Sequence, residues 1–414
     1  MSGISRYFLN GAAGAGGESP WLIYNENGTY VMDGVAVSAD YVYQTGQDNS
    51  GSGIYVAQFD HEGTLNWQNT YTLGGATYRT YPWVDSSQNL LVATTGDLRL
   101  SQITTTGSVG WSRGTGRSAL STTQDVFAWD ATNNRGFIRY AGTSNFEQNY
   151  FTGSPPTMQW ARYVGTSDAN GGITHDTSGN SWSCSSWASS PYYKGVIVKR
   201  DSSGNMNWSK TFQGSTNDVV PQSVAWSDNG NLFVGYKHNT NGAILQVLNA
   251  SSGNMSSRYA MTGVGSANVV PILRMDNEEN RLYCLWTYNA SNVAYFTKHT
   301  SNGSLVWQNK LTGMSALNAD AKIAIYGDFV YYSAKVNNTQ KSVLFKFPKD
   351  GSGQGTYGPF TYAAGTATYG NSTSGDLALN STTWAQSQAT RSWSNNSMSG
   401  SSTSGGTITL YEKS

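Results

Sequence analysis

One short phrase recurs along this chain with a nearly constant period. Lys199-Arg200-Asp201-Ser202-Ser203-Gly204-Asn205-Met206-Asn207-Trp208 reads as a strand end, a tight Asp-x-x-Gly turn and a strand opening on tryptophan. The phrase returns at Phe59-Asp60-His61-Glu62-Gly63-Thr64-Leu65-Asn66-Trp67 and at His299-Thr300-Ser301-Asn302-Gly303-Ser304-Leu305-Val306-Trp307, always with glycine four residues before tryptophan. Weaker copies stand at Gly107…Trp111, Pro156…Trp160, Gly253…Ser257 and Gly351…Gly355. From Gly63 through Gly107, Pro156, Gly204, Gly253, Gly303 and Gly351 the separations are 44, 49, 48, 49, 50 and 48 residues. A fixed period of this size belongs to modules that stack or ring an axis.

The turn chemistry explains the phrase. Asp and Ser side chains bond nearby backbone amides, and glycine takes positive φ without steric cost. A hairpin therefore closes between the aspartate and the tryptophan, and the tryptophan is expected to pack on a neighbouring module as core. Upstream of each turn lies a second hairpin, clearest at Ser223-Val224-Ala225-Trp226-Ser227-Asp228-Asn229-Gly230-Asn231-Leu232-Phe233-Val234. A third strand follows it, as at Val196–Arg200 and Ile244–Leu248. Four antiparallel strands per unit, at this period, predict an all-β fold, a β-propeller of four-stranded blades whose radial packing leaves only short sheet edges.

Seven units give seven blades, with eight left open by the C-terminal segment. Trp21 lies 16 residues before Val37, just as Trp208 precedes Val224 and Trp307 precedes Ile323. Trp21-Leu22-Ile23-Tyr24 thus reads as a stray fourth strand that fastens the ring by pairing with C-terminal strands. The expected organisation is a flexible leader or anchor over 1–20, the propeller over 21–361, and a Ser/Thr-rich β segment over 362–414. That segment reads as an extra blade, a cap or a docking appendage.

Composition narrows the function. Charged residues make up 12% of the chain, and 25 basic residues balance 25 acidic ones. That argues against binding nucleic acid or an anionic membrane through charge. No stretch approaches a membrane span, and Met1–Pro20 does not resemble a secretory signal. The repeats that hold Cys184 and Cys284 are not adjacent, so both are expected to be small, buried strand residues rather than a disulfide.

Catalytic patterns are lacking. No His-x-His, His-Glu-x-x-His, Cys-x-x-Cys or Gly-x-Ser-x-Gly motif occurs. The sialidase-type box needs tryptophan three residues after glycine, whereas the spacing here is four. Acids in fourth-to-first-strand loops, Asp168, Asp218 and Asp320, are the candidates for paired-carboxylate chemistry, a reading that ranks last. The expectation is no enzyme, no cofactor and no metal. His61 and His299, in or beside turns, are expected to face solvent.

Binding suits the chain better. In a propeller, the fourth-to-first and second-to-third loops share one face. Here those loops carry Tyr78, Tyr81, Trp187, Tyr192, Tyr193, Asp218, Trp286 and Tyr288, the candidate ligand-binding set. Exposed Tyr and Trp beside Asn and Ser suit sugars, which stack an apolar face and hydrogen-bond at the rim; the alternative is that most of these rings pack between blades. A neutral ring suits protein docking equally.

The phrase Asp201-Ser202-Ser203-Gly204-Asn205-Met206-Asn207-Trp208, with inner turns such as Asp228-Asn229-Gly230-Asn231, resembles the bacterial seven-bladed propeller repeat. It is also similar to the quinoprotein-type repeat, which shares the Gly-x-x-x-Trp spacing. Such repeats occur in virion structural proteins of tailed phages, especially cyanophages. Low charge, Ser/Thr/Asn/Gly/Tyr richness and serine-rich C-terminal strands resemble that group most. The resemblance spans about residues 21–361. It departs at Pro155-Pro156 and at repeats five and seven, which lack the tryptophan. It implies a propeller on the particle surface, on a tail fibre, tail tip or head exterior. Its partners would be other virion proteins and a host-surface glycan or receptor. The alternatives are a decoration protein without a host ligand and a bacterial envelope scaffold.

Overall fold

Most of the recurring turns are built around a side-chain acceptor. In the turn after Phe59, Asp60 Oδ1 accepts the Glu62 and Thr64 amides at 3.0 and 2.7 Å, and Gly63 takes φ +89°. Asp201 repeats this toward Ser203 and Asn205, with Gly204 at φ +83°. The hairpins upstream use the same device, Asp85 holding Ser87 and Asn89, and Asp176 holding Ser178 and Asn180. These local bonds fix where those strands end and so help to set the register.

The computed structural model describes residues 19–25, 30–48, 52–73, 79–95, 99–114, 126–141, 146–164, 171–187, 193–213, 218–238, 242–264, 269–288, 293–313, 321–336, 341–372, 378–381, 386–388, 394–395, 398–402 and 408–413. They form seven antiparallel blades in a ring, a seven-bladed β-propeller. Blade 1 runs Tyr30–Val37, Val42–Asp48, Gly53–Phe59, Leu65–Thr72 from the axis outward, and blade 2 Thr80–Val84, Leu90–Thr94, Arg99–Ile103, Val109–Gly114. Blade 3 is Phe127–Asp130, Arg135–Ala141, Phe146–Thr152, Thr157–Val164, and blade 4 is Ile173–His175, Ser181–Trp187, Lys194–Arg200, Met206–Gln213. Blade 5 is Val219–Trp226, Asn231–His238, Gly242–Asn249, Met255–Thr262, and blade 6 is Val269–Asp276, Arg281–Tyr288, Ala294–Thr300, Leu305–Thr312.

Blade 7 takes its first three strands, Lys322–Tyr326, Phe329–Val336 and Lys341–Pro348, from late in the chain. Its fourth is Trp21–Asn25, with Trp21 opposite Lys346. The expected closure by the N-terminal strand is therefore present. Repeat seven does not lack its tryptophan: Trp21 supplies it, and Gly355 belongs to another hairpin.

The C-terminal segment neither adds an eighth blade nor leaves the ring. After a hairpin of Gly355–Tyr357 and Phe360–Ala364, it travels backward around the circumference. Phe360–Ala364 pairs with the fourth strand of blade 6, Thr368–Asn371 with blade 5, Ala378–Ser381 with blade 4 and Gln386–Gln388 with blade 3. Ser394–Asn395, Ser399–Ser402 and Ile408–Glu412 then pair with blades 2, 1 and 7. Every blade thus gains a fifth strand from one continuous belt. Phe360 and Tyr362 still reach the core, but further along small residues such as Ser, Thr and Gly suffice, because the backbone ladder and not burial holds the strand. Ser399–Ser402 is exposed throughout.

The core lies between blades. Phe233, Leu245 and Val247 of blade 5 pack with Leu273, Leu282 and Trp286 of blade 6 in one cluster. Third strands are buried on both faces, as in Gly53–Phe59, while fourth strands such as Leu65–Thr72 are half exposed. Between blades, each fourth-strand tryptophan reaches the next blade's turn. In five of the six the indole N–H donates to a carbonyl there: Trp21 to His61 at 2.8 Å, Trp67 to Thr105 at 2.9 Å, Trp160 to Ser202 at 3.0 Å, Trp208 to Ala250 at 3.3 Å and Trp307 to Lys349 at 3.0 Å; Trp111 donates instead to Ser154 Oγ at 3.0 Å. Blade 5, which carries Ser257, substitutes two hydroxyls: Ser257 and Tyr259 both donate to Asn302 O at 3.1 Å.

Two expectations about these turns are corrected. His61 and His299 are buried, 7% and 0% exposed. His61 Nε2 faces the carbonyls of Ser38 and Ala39 at 3.1 Å, and Nδ1 meets Tyr331 Oη at 2.8 Å. Carbonyls only accept, so Nε2 carries the proton and the Tyr331 hydroxyl donates to Nδ1. The blade 7–blade 1 seam thus uses His61 as a bridging group. The cysteines are free and buried, as expected.

Candidate functional site

The seven first strands surround the axis, and their pairing register defines equivalent positions. Ala36, Trp83, Ala128, Thr174, Ala225, Arg274 and Ala324 stand opposite Tyr43, Leu91, Phe137, Trp182, Phe233, Tyr283 and Tyr331. One level of the axis therefore holds five small residues and two large ones. The small residues leave the room that the large pair occupies. Arg274 of blade 6 places its guanidinium 5.9 Å from the ring centre of Trp83 in blade 2, across the axis. Cation and indole attract through the ring quadrupole. Trp83 Nε1 donates to Phe127 O at 3.0 Å, which fixes the indole, and Arg274 Nη1 donates to Leu273 O at 3.0 Å.

Nearer the opposite mouth, Lys322 of blade 7 lies over the ring of Tyr81 in blade 2, at 4.9 Å, with both residues buried. Toward the first-to-second-strand turns the axis opens into a cavity of about 260 Å³. Trp83, Trp226, Arg274, Met275 and Tyr326 line it, half-buried, with Asn277 and Glu278 among the lining side chains of the blade 6 turn. Trp226 stacks one face on Trp182, centroids 6.1 Å apart and planes 9° apart. Tyr326 stacks on His61 at 5.2 Å. Asp276 and Lys349, also in the lining, form a buried ion pair.

Burial and charge set the protonation states. Burial pushes His175, another lining residue, below the usual histidine range, so it is neutral at pH 7. Burial, helped by the carboxylates of Asp40 and Glu278, raises the Tyr326 hydroxyl. The charges of the lining are then Arg274 and Lys349 against Asp276 and Glu278, which cancel. Such a cavity can hold a small uncharged group by ring stacking and by directed hydrogen bonds at its rim. Among the described residues no three or more His, Cys, Asp or Glu side chains cluster as a metal site.

Three of the residues singled out in the sequence fall at the other mouth. Tyr193 is 40% exposed, and its amide donates to Asp218 Oδ1 at 2.9 Å. Lys194 lies over the half-buried ring of Trp187 at 5.1 Å. These three candidates, Trp187, Tyr193 and Asp218, therefore come together beside blade 4. Tyr81 and Trp286 do not stand in binding loops: they are 2% and 1% exposed. Tyr81 is held under Lys322, and Trp286 Nε1 donates to Thr297 Oγ1 at 2.7 Å. Both are core, because the strands extend further than their sequence patterns suggest. Tyr288 ends Arg281–Tyr288 opposite Val269, with its side chain outside the described residues. Tyr78 and Tyr192 lie outside them too, as do Asp168 and Asp320. Sequence reasoning missed Trp83, Trp226, Arg274 and Tyr326 as a group. The signal was available: aligned repeats place Trp83 and Arg274 where the others carry Ala or Thr.

No protein-family model and no curated protein sequence matches the chain. Solved structures do. Hydrazine synthase from Kuenenia stuttgartiensis superposes with a TM-score of 0.54 at 10% identity, over 77% of this chain and 96% of that one. Virginiamycin B lyase from Staphylococcus aureus gives 0.51 at 11% identity, over 78% and 99%. Raptor from Chaetomium thermophilum gives 0.51 at 9% identity, over 79% and 29%. The likeness is one of fold. At such identities a propeller scaffold says nothing of the chemistry grafted onto it.

Proposed function

We propose that this protein is a virion structural component of a tailed phage, a propeller displayed on the particle surface that contacts a host-surface glycan or protein. The observation that carries host contact is the axial cavity, in which half-buried indoles and a guanidinium face an open mouth on a rigid ring. Rings held in fixed positions lose little conformational entropy on binding, which suits a receptor-contacting surface. The belt supports display. A particle protein outlives its synthesis without repair, and a strand that ties all seven blades opposes local opening of the ring. Near-zero net charge supports contact by shape and stacking rather than by ionic attraction. The phage assignment itself rests on the repeat resemblance.

Mass spectrometry of purified particles tests the virion assignment; detection at stoichiometric copy number is expected. Adsorption of the purified protein to host cells tests the contact. A protein found in particles that ignores host cells is instead a decoration protein. One absent from particles and held in a bacterial envelope is a scaffold.

A further inference from the structure

The host-contact reading leaves open which mouth of the ring binds and what it binds. We propose that the cavity at the first-to-second-strand turns seats a terminal hexopyranose of a neutral glycan, with Trp226 as the stacking face and Arg274, Asn277 and Glu278 as the hydrogen-bonding rim. This deepens the proposed function and rests on it for the source of the sugar, but not for the site itself.

Three observations select this ligand class. The first is volume. About 260 Å³ is just below the usual span of small-molecule sites, about 300–1,000 Å³. One or two sugar residues fit, whereas a folded partner or a long apolar chain does not. The second is charge. Arg274 and Lys349 balance Asp276 and Glu278 around the lining, and Asp276 and Lys349 already neutralise one another. Neither an anion nor a cation finds a net complementary field, so an uncharged ligand is favoured. The third is the mixture of surfaces. Trp226, with one face on Trp182, lines the cavity beside Met275 and Ile325, while Arg274, Asn277 and Glu278 supply donors and acceptors. A purely apolar ligand would desolvate those polar groups without replacing their hydrogen bonds. A pyranose meets both demands, with C–H groups on one face and hydroxyls around its edge.

Arg274 has a second role here. Its guanidinium over Trp83 spans the axis and narrows the cavity at that level. It is therefore a specificity residue as well as a hydrogen-bonding one. Glu278, exposed at the rim, accepts hydrogen bonds from hydroxyls, and Asn277, whose Oδ1 takes the Asp228 amide at 3.1 Å, offers its amide N–H groups as donors.

The test titrates the full-length chain with methyl glucopyranoside, methyl galactopyranoside and methyl mannopyranoside, followed by tryptophan fluorescence and indole N–H NMR shifts. At least one hexoside should give saturable shifts at concentrations up to about 100 mM. Trp226→Ala should weaken that binding about tenfold, the worth of one stacked aromatic. Should Trp226→Ala fail to fold, Thr174→Phe serves instead, since it fills the cavity from a position that otherwise only lines it, and it should abolish binding while circular dichroism stays unchanged. Tyr193→Ala, at the opposite mouth, should have no effect. Failure of all three hexosides to bind overturns the inference, as does binding lost in Tyr193→Ala and kept in Thr174→Phe. Hexoside binding by a protein absent from phage particles sinks the virion reading and leaves the site standing. Cell adsorption unaffected by Thr174→Phe, with no hexoside bound, does the reverse.

Discussion

The indole of Trp208 in blade 4 covers Gly253 in the turn of blade 5: a Cβ built on that glycine would sit 3.0 Å from Trp208 Cε3. The same meeting joins Trp21 to Gly63, Trp67 to Gly107, Trp160 to Gly204 and Trp307 to Gly351, while Tyr259 covers Gly303. Glycine and tryptophan of the repeated phrase therefore serve two interfaces, one on each side of a blade. The glycine is needed twice over, for its positive φ and for the bare surface it offers the neighbouring ring.

That double need predicts unequal costs for a simple substitution. Gly351→Ala meets both a φ of +82° and the Trp307 ring at 2.9 Å. Gly230→Ala meets only its φ of +85°, since nothing lies within 4 Å. Positive φ alone costs a non-glycine residue about 1–2 kcal/mol, and crowding adds about 1–3 kcal/mol. Urea denaturation should show the first variant less stable than the second by at least 1 kcal/mol. Equal midpoints would show that the ring does not press on the glycine.

The tryptophans themselves predict a graded series. Trp307→Phe keeps the ring but loses the hydrogen bond to Lys349 O, at a cost of about 1 kcal/mol. Trp307→Ala also leaves a gap beside Gly351, for a total of about 3 kcal/mol, the low end for a half-buried ring. Chemical denaturation of both variants checks the order.

Removing the belt should loosen the ring without erasing the blades. Ending the chain after Ala364 removes the fifth strand of six blades and keeps that of blade 6. Each remaining blade still has its four strands, so the far-UV signal of native sheet should persist. Unfolding should accelerate about tenfold or more, since the tie across the blade 7 seam, Trp21–Asn25 against Ile408–Glu412, is lost. Limited proteolysis and unfolding kinetics read this directly. An unchanged unfolding rate would show the belt to be ornamental.

Acid should destabilise the fold through its buried histidines. Burial lowers His61 and His175, and takes His299 down to about 3. The unfolded chain, with histidines near 6.5, then binds more protons than the folded one. Their contribution is fully present above about pH 7 and is lost as pH falls through 6.5 toward 3. Each unit of lowering corresponds to about 1.4 kcal/mol, so the acid slope should be steep. His299→Gln should flatten it relative to its own stability at pH 7. Melting temperatures between pH 4 and pH 8 test the sign.

The repeated phrase made most of the fold legible. Spacing counted the units, turn residues located the hairpins, and the 16-residue step from Trp21 to Val37 exposed the displaced strand. Those signals are local, and local bonds such as Asp60 to Glu62 and Thr64 make them hold. The site was less legible. Trp187, Tyr193 and Asp218 do come together, but Tyr81 and Trp286 belong to the core, and the cavity opens at the opposite mouth. An aromatic residue near a strand end looks the same in sequence whether it faces solvent, a neighbouring blade or the axis.

The amino-acid order alone determined the seven-fold repeat and the turns that end the third strands, because each is fixed within a dozen residues. Only the closed ring decided that Ile408–Glu412 would flank Trp21–Asn25, that Arg274 would meet Trp83 across the axis, and that His61 would be buried against Tyr331. Those meetings join residues far apart in the chain, and they exist only once the last blade closes on the first.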